Sequence, residues 1–254
     1  MSASNMLLND KKVLVIGGSS GIGRSVAAAA LAGGASVSIA SSTQSKVDAA
    51  LQLLRNNSNE KTGLKVSGEA FDIKDFKALT GFLTKEAPFD HLVITAGEPP
   101  KSLGLVADVD IREQLGDSMD ARYWAVLNAA NHVHKNNLIR PGGSFTMTIG
   151  IFRQRPPVGR GFSLGAIGAI DTATRGLAID LKPIRVNAIA PGIVDTEIFH
   201  NMPEQMRTSL FESYKQRLLV EHIGTPEEVA EAYIFAMKYL TGQIITVDGG
   251  AVLV

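Results

Sequence analysis

The sequence contains no cysteine. That absence excludes disulfides, thiolate metal sites and a cysteine nucleophile, and no metal site is expected. No apolar run approaches the roughly 18 residues a membrane-spanning helix requires, so no membrane partner is expected. The opening residues, MSASNMLLND, have no basic stretch leading into an apolar one. No secretory signal is read there, and a cytoplasmic location is the expectation. Charge of one sign is also lacking, since Lys+Arg and Asp+Glu each number 25. Without a basic field, no nucleic-acid partner is expected. No internal repeat or low-complexity linker interrupts the chain.

What is present fits one globular domain over residues 1–254, long enough for a sizeable core, with 45% hydrophobic and 20% charged residues. Apolar runs read as strands at 12–16, 35–40, 63–71, 91–95, 142–148, 184–190 and 243–247. Helical patterns fall between them, at 76–85, 111–135, 162–181 and 227–237, the last after Pro226, a favoured first-turn proline. Alternating strands and helices predict an α/β fold: a single Rossmann-type, doubly wound parallel sheet with helices on both faces. Ligands of such sheets bind beyond the carboxyl ends of the strands. Residues 17–23, Asp72, Ala96, 148–160 and 191–196 would gather there.

The first strand runs into GGSSGIG at 17–23 and then an alanine-rich helix. Strand, glycine turn and helix in that order form a pyrophosphate cradle. The glycines let the backbone approach, and the helix N-terminus offers N–H groups and partial positive charge. At the end of the second strand an acidic residue would hold the 2′-hydroxyl of NAD. Here the chain reads Ala40-Ser41-Ser42-Thr43. The missing carboxylate removes repulsion of a 2′-phosphate, the hydroxyls can donate to one, and Arg24 can add charge, so NADP (NADPH) is the expected cofactor. The same hydroxyls can also cap the next helix.

GGSSGIG at 17–23, FDI at 71–73, TAG at 95–97, IRVNAIAPGIVDT at 184–196 and GQIITVDGG at 242–250 resemble the short-chain dehydrogenase/reductase family over nearly the whole chain. The resemblance implies a cofactor site made of Gly17, Ser19, Ser20, Gly21, Ile22 and Gly23 on the pyrophosphate side, with Ser41 and Ser42 at the adenosine ribose. It implies that Asp72 and Ile73 meet the adenine and that Ala96 and Gly97 lie along the ribose. Pro191, Gly192, Ile193 and Val194 would hold the nicotinamide carboxamide, and Thr196 a phosphate. Thr95 stands where the family has asparagine.

The family's catalytic set is an Asn, a Ser and a Tyr-x-x-x-Lys pair. Aligned on the 184–196 motif, those positions carry Arg122, Ile149, Phe162 and Ala166. The tyrosines are Tyr123, Tyr214, Tyr233 and Tyr239, followed four residues later by Leu127, Leu218, Met237 and Gln243, so no shift of register restores the pair. Hydride transfer to a ketone leaves an alkoxide that needs a proton donor. An iminium ion needs none, because hydride alone neutralises it. RYW at 122–124, TIG at 148–150, the RP-containing loop and PIRVN at 183–187 resemble a divergent subgroup of the family. That subgroup includes fungal biosynthetic enzymes that reduce iminium-type intermediates and guide Diels–Alder closures. Its loop aspartate has no counterpart in IFRQRPPVGRG at 151–161.

Arg122, Thr148 and Glu98 are the candidate catalytic residues: an arginine at an active-site position, a hydroxyl near the lost serine, and a carboxylate after Ala96-Gly97. Ser163, like Thr148, could orient a substrate, Asp171 is a second carboxylate beside Glu98, and Arg153, Arg155 and Arg160 either bind an anionic substrate or are solvated. Residues 197–219 lie where the family carries a mobile lid. Ile198, Phe199, Met202, Met206 and Phe211 would give it an apolar inner face suited to a bulky apolar small-molecule substrate. A homo-oligomer, dimer or tetramer, is implied through the helices at 112–135 and 162–181. Two rival activities remain: a cofactor-dependent cyclase or isomerase without net redox, and a non-catalytic subunit.

Overall fold

The computed structural model describes residues 8–57, 63–97, 108 and 110–254. Its strands are β1 (Lys12–Ile16), β2 (Ser36–Ser41), β3 (Val66–Ala70), β4 (Phe89–Ile94), β5 (Ile139–Thr148), β6 (Arg185–Pro191) and β7 (Ile244–Val247). They form one sheet in the order β3-β2-β1-β4-β5-β6-β7, and every pair is parallel. The expected doubly wound sheet is therefore observed. The order reverses between β1 and β4, so the chain leaving those strands diverges and opens a crevice at their carboxyl ends.

Helices α1 (Gly21–Ala32), α2 (Gln44–Asn57) and α8 (Pro226–Ala236) cover one face. Helices α3 (Phe76–Glu86), α5 (Ala125–Lys135) and α6 (Gly165–Asp180) cover the other. Strand residues sort by the period of two. Val13 and Val15 enter the α1/α8 core, and Leu14 and Ile16 the α5/α6 core. On β5, Phe145, Met147 and then Ile149 enter the α5/α6 core. Asn187 of β6 is fully buried and stitches the end of α8 to β7, donating to Leu240 O at 2.7 Å and accepting from the Gln243 N–H at 3.1 Å.

Two expected elements differ. The pattern at 111–135 is three segments: α4 (Ile111–Met119), a π-helical stretch at Asp120–Trp124, and α5. The wider π-helical turn changes the rotation per residue, so a count at the ordinary helical period cannot place Arg122. The helix expected from 162 starts at Gly165. Ahead of it, Ser163 donates to the Arg160 carbonyl at 3.0 Å, closing a turn that holds Phe162 and Ser163 outside the helix. The lid segment is a 3₁₀ turn (Glu197–Phe199) and α7 (Glu204–Lys215), and no residue of either is buried. Ile198 and Met206 are exposed, contrary to the expected inward face, whereas Phe199 and Phe211 pack edge-on at 5.2 Å. Among the described residues no helix is long and apolar enough to cross a membrane, and no cluster could hold a metal ion.

Candidate active site

The crevice is built first from glycine. Gly17 has φ +92°, and a Cβ there would stand 2.6 Å from the Ala96 nitrogen and the Thr95 Oγ1. A Cβ on Gly23 would collide with the Gly17 carbonyl. The Thr95 hydroxyl donates to the carbonyls of Ile16 and Gly17, at 3.3 and 3.2 Å. It thereby ties the end of β4 to the start of the glycine turn. The Ser19 and Ser41 hydroxyls share a hydrogen bond of 2.7 Å that joins the turn to the end of β2, while Ser20 and Ser42 are exposed. Ser20 caps α1 with its backbone only, and the first turn of α1 contains no acid. Ile22 packs on the α1/α8 core, leaving the backbone of the turn facing the crevice.

One acid does reach this turn. Glu197, just after Thr196, accepts from the Gly21 N–H at 2.7 Å and pairs with Arg24 Nη1 at 2.7 Å. Burial works against its charge. Its own backbone N–H, Arg24 and the Gly21 N–H outweigh that cost and hold its carboxyl below the usual range. Arg24, expected to serve a 2′-phosphate, instead faces Glu197.

The other expected cofactor residues lie along the same edge. Asp72 is exposed and accepts from the Lys74 N–H at 2.9 Å. Ile73 and Ala96 pack on the α5/α6 core. Pro191 ends β6, and the Gly192 N–H reaches Val247 O at 2.9 Å, with Asp248 too close for a side chain at 192. Ile193 is half-buried, while Val194 is buried and bridges to Gly224. Thr196 is buried, with its side chain against Gly21. The cradle that added Cβ atoms would fill, the N-terminus of α1 where Glu197 now sits and the hydroxyls at β2 fit a dinucleotide.

Toward α6 the chemistry changes. Ile149 and Ala166 are buried and Phe162 is half-buried. Thr148, one residue before Ile149, points to the opposite face of the sheet. Its hydroxyl donates to Ile94 O at 2.9 Å and lies 2.6 Å from the Tyr233 hydroxyl on α8. With the threonine proton committed to Ile94, the tyrosine must donate to Thr148. Thr148 thus turns away from the face that Ile149 occupies. Burial pushes the Tyr233 phenol strongly up in pKa, against smaller opposing effects of Thr148 and the Arg122 charge.

Arg122 is half-buried and donates from Nη2 to Gly97 O at 3.0 Å, with its aliphatic stem against Gly97. It therefore grips the chain leaving β4, at the centre of the crevice. Glu98 lies outside the described residues. Asp171 is held by Arg153 and Arg175, both at 3.0 Å, and Arg155 donates to Ala251 O at 2.9 Å. Arg153 and Arg155 thus fasten the loop after β5, Arg153 half-buried and Arg155 on the exposed side expected of a solvated loop. An open cavity of about 310 Å³ lies between the 195–200 turn and α7, lined by Asp195, His200, Arg207, Thr208, Phe211 and Glu212. That lining is more polar than the apolar lid expected from sequence.

Sequence reasoning missed Tyr233 and the reach of Glu197. The apolar spacing of Val229, Tyr233 and Met237 marks Tyr233 as inward, but not its partner. Nothing local marks Glu197, whose partners lie 176 and 173 positions away.

A profile for the SDR-like Rossmann domain matches residues 3–254. The short-chain dehydrogenase/reductase ATR9 of Stachybotrys chlorohalonatus is 34% identical, over 97% of this chain and 98% of its own. The solved structure of the MalC reductase/Diels-Alderase from Malbranchea aurantiaca superposes with a TM-score of 0.91 at 30% identity, covering 99% of this chain and 100% of that one. A small-chain dehydrogenase solved in complex with NADPH gives a TM-score of 0.77 at 29% identity, covering 97% and 100%. Glycine cradle, sheet order and these likenesses agree, and the chain belongs to the short-chain dehydrogenase/reductase family.

Proposed function

We propose that this protein is an NADP(H)-dependent reductase with a non-standard active site, acting on an imine, iminium or comparably activated substrate in specialised metabolism. The observation that carries the reading is the contrast within one crevice: a built glycine cradle beside buried Ile149 and Ala166 and a half-buried Phe162. When bound, the dinucleotide supplies a hydride. Gly17–Gly23 and Thr196 hold its phosphates, Ser41 and Ser42 its ribose end, Asp72 and Ile73 the adenine, Ala96 and Gly97 the adjoining ribose. Pro191–Val194 orient the nicotinamide. The apolar side chains at 149, 162 and 166 exclude water and donate no proton, so a cation that needs only hydride is the substrate class they suit. Arg122, fixed on Gly97 O, orients the substrate or the Gly97 backbone; Thr148 supports the sheet edge under it, and Glu98 is the remaining carboxylate candidate. The likeness to a dehydrogenase solved with NADPH supports the cofactor, and the likeness to a reductase/Diels-Alderase supports an unusual reaction.

The test is NADPH consumption with matched panels of cyclic imines and ketones. Faster consumption with imines is expected; a preference for ketones would sink the reading. A second reading, cyclisation without net redox, is favoured by the MalC likeness, since that protein is named a reductase/Diels-Alderase. Product formation with NADP⁺, and no NADPH consumed, would select it. A homo-oligomer belongs to the same proposal, to be read by light scattering.

A further inference from the structure

We infer that Glu197 is a resident anion of the cofactor cradle, displaced when the dinucleotide binds, and that it couples the lid to occupancy. The inference rests on the cofactor reading above.

The Gly21 N–H belongs to the helix end that attracts a pyrophosphate, and it is already donated to Glu197 Oε2 at 2.7 Å. The other carboxylate oxygen takes Arg24 at 2.7 Å, the one cation in the first turn of α1. A single N–H cannot serve two acceptors at full strength. A carboxylate and a pyrophosphate on the same donors also repel. The geometry is close-fitting: the Thr196 side chain approaches the Gly21 position at 3.0 Å, and Glu197 Oε2 at 3.5 Å. α1 has no side-chain cap and no acid of its own, so Glu197 fills the role that a ligand anion would take.

The coupling arises from chain connectivity. Glu197 begins the 3₁₀ turn that leads into α7, and neither that turn nor α7 has a buried residue. The bonds from Glu197 to Gly21 and Arg24 therefore fasten a segment that has little core packing of its own. Moving the carboxylate out frees Arg24 for a phosphate and exchanges the Glu197 anchor at the root of the lid for the contact of Thr196 with the cofactor. Cofactor affinity is then the intrinsic affinity reduced by the cost of displacing Glu197.

Two variants test this, Glu197→Ala and Glu197→Gln, with NADPH affinity read by fluorescence titration. Glu197→Ala should bind NADPH about tenfold tighter than the unaltered protein, with Glu197→Gln in between, as expected for losing one charge-assisted pair. The structural readout is trypsin cleavage at Arg207 on α7. Without cofactor, Glu197→Ala should be cut about tenfold faster than the unaltered protein, and saturating NADPH should bring it back to the unaltered rate; equal cutting of the two proteins without cofactor would overturn the coupling. Unchanged or weaker NADPH binding in both variants would overturn the inference while leaving the cofactor reading intact, because the carboxylate would then only order Arg24. Failure of all three proteins to bind NADPH would overturn the cofactor reading and this inference with it.

Discussion

Where β1 meets β4, the crevice is made of backbone, glycine and short hydroxyls held at fixed distances. Gly17 and Gly23 leave room only for backbone, Thr95 bonds two carbonyls of the turn, and Ser19 clasps Ser41. Where β5 meets α6, the crevice is made of hydrocarbon: Ile149 and Ala166 are buried, and the adjacent Thr148 hydroxyl is turned to the other face and spent on Ile94. One sheet edge thus carries a glycine cradle beside an apolar stretch, the two halves of the proposed site. A cradle persists through geometry that a single methyl breaks. Acid–base chemistry resides in a few side chains that an apolar core can replace without moving the strands. Fold and cofactor handling therefore carry over from relatives more safely than the reaction does.

The sharpest way to break the comparison is Gly23→Ala. The added methyl meets backbone, which cannot give way, so NADPH affinity should fall by about a thousandfold in a fluorescence titration. Retained binding would mean the cradle is not where the cofactor sits.

The opposite half is tested by gain. Phe162→Tyr puts a phenol at the position proposed for the family's tyrosine, and ketone reduction should rise about tenfold to a hundredfold, followed as NADPH oxidation. Iminium reduction should change little. A variant that gains nothing on ketones would show that position 162 does not face the reacting carbon.

At the far end of β4 and β5, His91 belongs to neither half. Its Nδ1 lies 2.9 Å from the Ser144 hydroxyl. Burial lowers its pKa to about 4, with Arg185 and Lys11 adding to that and Asp90 opposing it. A depressed folded value means the unfolded chain takes the proton more readily, so the contribution is present above pH 6.5 and lost as pH falls toward 4. Between pH 7 and pH 5 the loss should be about 2 kcal/mol, read by urea denaturation, and His91→Gln should flatten it. A profile unchanged by the substitution would remove His91 as the cause.

The smallest effect is expected at Tyr233→Phe. Thr148 keeps its bond to Ile94 O, so only one buried hydrogen bond is lost. About 1 kcal/mol, or roughly 2–4 °C in Tm, is expected by calorimetry, with cofactor binding unaffected. A collapse of cofactor binding instead would make the Tyr233–Thr148 pair part of the crevice.

These contrasts also explain what was legible in the amino-acid order. The strands were, because buried parallel strands read as short apolar runs between helices. The glycine turn was, because its chemistry is local to 17–23. The start of α6 was not: Phe162 fits a helical period, but the turn closed by Ser163 and Arg160 holds it outside. Arg122 is legible from its spacing to the 184–196 motif, while its direction depends on a π-helical stretch that periodicity averages away. The Glu197 contacts were invisible, since they join residues that only the fold brings together.

The central claim is that hydride is delivered here without a protein acid. The direct measurement is the pH profile of kcat/KM for reduction of a permanently cationic, N-alkylated cyclic iminium by saturating NADPH. The range is pH 6.5 to 9, above the window in which His91 affects stability. A flat profile is expected. A rate that falls tenfold per pH unit above a single ionisation would reveal a proton donor in the site and contradict the claim.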